Sequence, residues 1–276
     1  MTDDELERKC TSWAERFRFY RDPPTKEKLG CWLKYFAPKD LGVAAKVLDH
    51  VIIVGAPEIN EGYKAALDSL TGWNPDPSKR SGRWFFVGFG RPSESGPAML
   101  RQFRHANNLA YGKFDELFHD LRDLPELKLT AYDHVVFVDD FSGTGRQVTK
   151  MWPRVAELVA SEAHCYLVLT AITTKALEKL STIQELKVIA SMTLGPDHAV
   201  FHQENKSFSD EERLIIEHYG KQADPLNPKG FGGLGVLFVL GHSTPNNCPP
   251  ILHVDKPEWR GIFPRYLRSE ASGGTV

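Results

Sequence analysis

Apolar residues recur at three- and four-residue spacing through the first seventy positions, a pattern typical of amphipathic helices. One such stripe lies within residues 4–20 and consists of Leu6, Cys10, Trp13, Ala14 and Phe17. Further helices are predicted over 23–36, 40–54 and 60–70, although the end of 40–54, "VIIV", fits a strand equally well. The turn-rich stretch "TGWNPDPSKRSG" then separates a helical N-terminal subdomain, residues 1–79, from residues 80–276.

Beyond residue 80 the pattern changes to short apolar runs that alternate with helical segments. The runs predict strands over 83–89, 134–138, 163–172, 186–194 and 235–242. The segments between and after them predict helices over 97–109, 111–121, 145–160, 174–180 and 209–222. Strands that alternate with helices favour an α/β fold, in which a parallel sheet carries helices on both faces.

Composition narrows the class of protein. A net charge of −2 over 276 residues argues against a general nucleic-acid coat and against a polybasic membrane anchor. The four cysteines are far apart, so neither a zinc site, a redox motif nor a disulfide framework is indicated. The acidic start is not a secretory signal, and the apolar runs are too short to span a bilayer. We therefore expect a cytoplasmic protein without membrane contact.

The stretch "HVVFVDDFSGTGRQV", residues 134–148, combines a strand, two acids and a small-residue loop. It predicts a buried strand over 135–138, with the acid pair, Asp139 and Asp140, at its tip. A turn over 141–145 follows, and a helix begins near residue 146. Since ligands of open parallel sheets bind beyond the carboxyl ends of the strands, this is a candidate binding site.

The loop formed by Ser142, Gly143, Thr144 and Gly145, here called the glycine loop, suits a phosphate. Its glycines allow backbone N–H groups to converge, and the positive end of the next helix adds attraction for an anion. The acid pair suits vicinal ribose hydroxyls. The alternative is that Asp139 caps the loop and Asp140 is solvated, but the ordered combination favours a sugar-phosphate site.

Two other phosphate motifs fit less well. A Walker loop needs a lysine directly after its last glycine, where this chain has Arg146. The cluster "GFGGLG" at 230–235 precedes a strand instead of following one, which is the wrong order for a dinucleotide fingerprint. A hydride-transfer enzyme is therefore disfavoured.

The stretch "VVFVDDFSGTGRQV" resembles the phosphoribosyl-pyrophosphate (PRPP) motif of type I phosphoribosyltransferases. It departs from that motif at Arg146 and Gln147, where the family usually has a small residue and then threonine. More narrowly, the chain resembles phosphoribosyltransferase-like proteins of bacterial conflict, or anti-phage defence, systems. That resemblance adds the segments "SGPAMLRQFRHANNL", "VLTAITTKALEKL" and "GHSTPNNCPPIL".

The resemblance implies displacement of pyrophosphate from the ribose anomeric carbon, assisted by Mg²⁺. Asp139 and Asp140 would bind the ribose hydroxyls and would hold Mg²⁺ indirectly through PRPP, while steadying the developing cation. The 5′-phosphate would contact the glycine loop and its remodelled end, Arg146 and Gln147.

The same resemblance implies a second loop for pyrophosphate after the first core strand, and a cover over the nucleobase. Ser95 and Gly96 would offer backbone N–H groups to pyrophosphate. Positive charge would come from Arg91, Arg101 or Arg104, although the last two, on a predicted helix, fit a solvated face equally well. The C-terminal segment 242–266 would form a hood-like extension, although simple packing is favoured for it.

Three functions remain in competition. The first is an enzyme acting on PRPP or a related phosphoribosyl nucleotide, as a possible defence effector. The second is a sensor of the same ligand that does not turn it over, which the substituted Gln147 keeps open. The third is an interaction protein with a vestigial pocket, docking a defence-system partner through its N-terminal helices. An oligomer is compatible with each of them.

Overall fold

The computed structural model describes residues 2–91, 94–159 and 162–265. The helices are α1 Asp3–Arg16, α2 Lys26–Leu33, α3 Leu41–His50, α4 Ala56–Asp68, α5 Ser95–Ala106, α6 Arg146–Ala156, α7 Thr174–Leu180, α8 Asp210–Ala223 and α9 Pro250–His253. The strands are β1 Ile52–Val54, β2 Trp84–Gly88, β3 Phe118–His119, β4 His134–Ser142, β5 His164–Thr173, β6 Leu186–Leu194, β7 Phe238–Leu240, β8 Asp255–Lys256 and β9 Trp259–Arg260. These elements group into two compact units, one of residues 57–195 and one of 1–56 with 196–276.

The unit of residues 57–195 contains a five-stranded sheet in the order β3-β2-β4-β5-β6, in which every pairing is parallel. The predicted α/β class and parallel sheet are confirmed. Strand β4 is central, and residues 134–139 are all buried because the sheet is covered on both faces. The carboxyl end of β4 therefore lies in the middle of the row formed by the carboxyl ends of the strands, and parallel sheets bind their ligands beyond these ends.

Two predicted elements of the sheet differ from the structure. Residues 111–121 were predicted to be a helix, but they form a 3₁₀ segment, Gly112–Leu117, that leads into the short strand β3. Phe118 pairs with Phe86 of β2, so pairing along the sheet overrides the local helical pattern. The last predicted strand, β7, does not join this sheet and pairs with β1 in parallel.

The second unit, residues 1–56 with 196–276, packs the N-terminal helices against C-terminal elements. Its core includes the aromatic stripe of the first two helices, which is buried and thus has a packing role: Trp13, Phe17, Trp32 and Phe36. Trp259 is also buried, and its indole Nε1 donates a hydrogen bond to the carbonyl of Ile251 at 3.0 Å. The strand alternative for "VIIV" is confirmed by β1.

The predicted division at residue 80 differs from these two units. Residues 57–79, which include most of α4, group with the sheet, whereas residues 1–56 group with the C-terminal part of the chain. The physical reason is long-range: β1 pairs with β7, whereas α4 contributes Tyr63 to the core beneath β4. Local periodicity carries no information about such pairings.

The cysteines are free thiols; Cys31 is exposed and the other three are buried. In the part of the chain that the structure describes, no helix is both long and apolar enough to cross a membrane.

Candidate functional site

The acid pair lies inside the paired end of β4. Strand β4 was predicted to stop at residue 138, but it continues to Ser142, because Asp139 pairs with Leu169 and Ser142 with Ile172 of β5. Phe141 also pairs with Ala171, so the pairing fixes the backbone on either side of Asp140. The carboxyls of Asp139 and Asp140 lie close enough to interact, since, after burial, the charge of Asp140 and a side-chain hydrogen bond with it both raise the pKa of Asp139.

Asp139 is only 4 % exposed, which is unusual for a carboxylate. Its Oδ1 accepts hydrogen bonds from Ser95 Oγ at 2.6 Å and from the backbone N–H of Asp140 at 2.9 Å. Burial, and after it the charge of Asp140, raises the pKa of Asp139 well above its usual range, against the effect of those bonds. Asp139 is therefore held in place by the protein itself.

Asp140 is half-buried and so is the more accessible member of the acid pair. Its Oδ1 accepts the backbone N–H of Phe141 at 2.7 Å, which orients the carboxylate within the last part of β4. A half-buried carboxylate, with about four lone-pair sites, is the type of group that accepts hydrogen bonds from sugar hydroxyls.

Tyr63 of α4 was not identified from the sequence. Its hydroxyl donates to the carbonyl oxygen of Asp139 at 2.9 Å, and the side chain is fully buried. Burial raises the pKa of this phenol far above its ordinary value, so Tyr63 stays a neutral donor. It occupies one apolar position of an ordinary helical pattern, and no local signal links it to residue 139.

The glycine loop connects β4 to α6. Gly145 has a left-handed backbone, φ +66°, and stands at the N-cap of α6. Thr173, at the end of β5, donates its hydroxyl to the carbonyl of Gly143 at 2.5 Å and anchors the loop to the neighbouring strand. Thr173 was also missed, because it ends a plain apolar run in the sequence.

Backbone donors of the glycine loop remain available. Among the described residues, the N–H groups of Gly143, Thr144 and Gly145 have no hydrogen-bond acceptor. Such donors, together with the N-terminus of α6, are groups of the kind that bind an anion.

Arg146 and Gln147 form the exposed first turn of α6, as predicted. Gln147 Nε2 lies 3.5 Å from Oε2 of Glu94, a residue just before α5. The same Glu94 oxygen accepts the backbone N–H of Arg91 at 2.8 Å. A carboxylate of the segment that was expected to bind pyrophosphate thus lies beside the first turn of α6.

Ser95 and Gly96 form the first turn of α5, which follows β2 after a short loop. Ser95 reaches the acid pair through its hydroxyl, as described above, whereas a backbone role was expected. Gly96 is packed against Phe89: a Cβ at residue 96 would lie 2.1 Å from the Phe89 carbonyl oxygen. This close approach brings the start of α5 to the end of β2 and so places Ser95 beside Asp139.

The structure does not bring Arg101 and Arg104 to the acid pair. They lie six and nine residues along α5 from Ser95, about 9 and 13 Å at 1.5 Å per residue. Arg101 is exposed, and Arg104 is held by Asp115, by the carbonyl of Leu109 and by the ring of Phe118. Arg104 thus has a structural role.

The acid pair is the candidate metal-binding group. The described residues contain no cluster of three or more His, Cys, Asp or Glu side chains that could hold a metal ion. Mg²⁺ commonly binds one or two carboxylates together with substrate phosphates and waters, and two adjacent aspartates fit that mode.

A sequence model of the PRTase-CE family matches residues 29–265. The comparison with curated proteins gave no match. Among the matching solved structures is orotate phosphoribosyltransferase from Aeropyrum pernix, at 14 % identity and a TM-score of 0.28, covering 57 % of this chain and 75 % of that one.

Proposed function

Because the chain belongs to the PRTase-CE family, we propose that it binds PRPP or a related phosphoribosyl nucleotide and acts at the anomeric carbon. Family and fold are phosphoribosyltransferase-like. The main support for the proposal is that the acid pair and the glycine loop lie on one strand–turn–helix unit, at the carboxyl end of the central strand.

Each half of that unit has a distinct task. Asp140, the accessible acid, accepts hydrogen bonds from the ribose hydroxyls, and Asp139 keeps the end of β4 in place through Ser95 and Tyr63. The free N–H groups of the glycine loop receive the 5′-phosphate of the same sugar. A site of this kind recognises hydroxyls and phosphate on one molecule, which explains why acids stand beside an anion-binding turn.

The reaction breaks the bond between the anomeric carbon and the pyrophosphate oxygen, and an acceptor nitrogen forms the new bond. Little covalent chemistry falls to the protein, so positioning and electrostatic stabilisation dominate. The negative charge of Asp140, the accessible acid, stabilises the positive charge that develops on the sugar. Mg²⁺, held by the acid pair through the ligand, would neutralise the charge of the leaving group.

A sensor that binds the ligand without turnover is a second candidate, and Glu94 favours it. Its carboxylate bonds to the Arg91 N–H in the segment where pyrophosphate was expected, and a like charge there disfavours pyrophosphate. Such a protein would bind a 5′-phosphoribosyl group and release no pyrophosphate. An effector role in bacterial defence belongs to the proposal in either form, supported by the sequence resemblance alone.

Calorimetry with PRPP and Mg²⁺ tests binding. The wild type is expected to bind, the accessible-acid variant Asp140→Asn to bind at least tenfold more weakly, and the double variant Asp139→Asn/Asp140→Asn not at all. Asp68→Asn, which changes an exposed acid of α4, is the matched control and should bind as the wild type does. Failure of the wild type to bind PRPP or any 5′-phosphoribosyl nucleotide would overturn both candidates.

Turnover is then decided by pyrophosphate release across a panel of nucleobases. Release by the wild type that is lost in Asp140→Asn supports the enzyme. Tight binding without release for every base supports the sensor.

A further inference from the structure

The five-stranded sheet has two very different edges. Strand β3 closes one edge with two residues, whereas β6 forms the other with nine, Leu186–Leu194. In the described residues β6 pairs with β5 alone, and no backbone bond from residues 187–193 goes elsewhere. A long row of backbone N–H and C=O groups on β6 is therefore open to another strand.

Strand β6 lacks the features by which proteins usually block such an edge. It contains no proline and one charged residue, Lys187, and its pairing with β5 runs in a single register from Leu186 to Leu194. The middle of the strand is half-exposed and mostly apolar: Val188, Ile189, Ala190 and Met192. We expect a long apolar edge strand without such protection to pair with another strand when the protein is in solution.

We propose that β6 pairs with β6 of a second copy of this chain, antiparallel and about a two-fold axis at Ala190. This axis uses the whole strand and joins two five-stranded sheets into one of ten strands. An isologous pairing requires a surface that complements itself. Strand β6 meets this requirement, because Val188 faces Met192 and Ile189 faces Ser191.

Charge favours a second copy in this register. Lys187, the only charged residue of β6, faces Thr193 of the other copy and lies far from its own symmetry mate. Both Lys187 and Thr193 are exposed and stand near the ends of the strand. The pairing thus buries the apolar centre and leaves the one charge at the solvent-facing rim.

The pairing of Lys187 with Thr193 of the other copy can be tested by substitution. The antiparallel dimer contains this pair twice, once on each side of the axis, so a substitution at Thr193 changes both pairs. Thr193→Lys creates two like-charge pairs, Thr193→Glu creates two opposite-charge pairs, and Lys187→Glu/Thr193→Lys restores attraction. Cross-strand charge pairs of this kind are expected to change the dimer dissociation constant by roughly two- to thirtyfold.

Sedimentation equilibrium on the full chain measures that constant. The wild type should dimerise, Thr193→Lys should weaken the dimer, and both Thr193→Glu and the double variant should be tighter than Thr193→Lys, with differences that shrink at high salt. Thr11→Lys, which adds the same charge at an exposed position of α1, should match the wild type. The proposal would be overturned if the protein were monomeric at all concentrations, or if the dissociation constant of the dimer did not change with these substitutions.

Discussion

The hydroxyl of Ser95 donates to Oδ1 of Asp139 across 2.6 Å and joins the first turn of α5 to the end of β4. The two residues are 44 positions apart, and the close approach of Gly96 to Phe89 makes their contact possible. A buried carboxylate without such donors would be costly. Ser95 is therefore part of what allows an acid to stand inside the core.

Substitution Ser95→Ala tests this role. Loss of the bond is expected to lower the free energy of unfolding by about 1–3 kcal/mol, because it leaves a buried carboxyl less well satisfied. The Ser95 bond favours the charged form of Asp139, so the variant should also raise the pKa of Asp139 further. Chemical denaturation and an NMR titration of the Asp139 carboxyl carbon measure both effects.

The matched control for Ser95→Ala is Ser181→Ala. Ser181 is exposed, and its hydroxyl bonds only to a carbonyl of its own helix. It should cost about 0.5 kcal/mol or less. Equal effects of the two substitutions would show that the Ser95–Asp139 bond contributes nothing specific.

Gly145→Ala is expected to destabilise the glycine loop. At φ +66° an alanine costs roughly 1–2 kcal/mol because of its backbone conformation, while its Cβ would only contact the carbonyl of Ala176, at 3.4 Å. The altered turn should also weaken PRPP binding, measured by calorimetry. Gly112 does not have a left-handed φ, and a Cβ there would meet only Asp115 Oδ2, at 3.7 Å, so Gly112→Ala should leave both quantities nearly unchanged.

The sequence predicted much of this site because its signals are local. The motif 134–148 specified the strand, the acids and the start of α6 by residue order alone. In the same way the segment 209–222 was predicted to be helical, and the structure shows a capping box of Ser209 and Glu212 at the start of α8. The β6 run coincided with its strand because a short segment rich in apolar and β-branched residues favours extended structure.

What the sequence missed depends on distant contacts. Thr173 and Tyr63 reach the site from β5 and α4, and neither segment differs locally from ordinary packing sequence. The pairing of β1 with β7 joins residues almost 190 positions apart, so it could not be predicted from periodicity either. Arg104 was a candidate for binding an anion because its pairing with Asp115 could not be predicted. Asp115 lies in a segment that was predicted to be helical.

Low pH is expected to disrupt the ion pair between Arg83 and Asp133, which lies at the amino-terminal end of β4. Burial opposes ionisation of Asp133, but bonds from Arg83 and Thr130 outweigh it together and lower the pKa of Asp133 to about 2. Since the unfolded value is about 3.9, the stabilisation of about 2 kcal/mol is complete above pH 4 and is lost as pH falls toward 2.

The difference in unfolding free energy between wild type and Asp133→Asn should therefore be about 2 kcal/mol at pH 7 and nearly vanish at pH 2. Denaturation over a pH series measures it. A difference that stays constant with pH would contradict the assignment to Asp133.

Two glycines with opposite surroundings provide the last test, which concerns how Ser95 comes to lie beside Asp139. A Cβ at Gly96 would lie 2.1 Å from a backbone oxygen that cannot move aside, so Gly96→Ala should cost about 3 kcal/mol or more. Gly42 of α3 has nothing within 4 Å of such a Cβ, so Gly42→Ala should stabilise the helix by up to about 1 kcal/mol. Thermal and chemical denaturation compare the two variants with the wild type. If Gly96→Ala were as stable as the wild type, α5 could not be packed this closely on β2, and the contact between Ser95 and Asp139 would lose its structural basis.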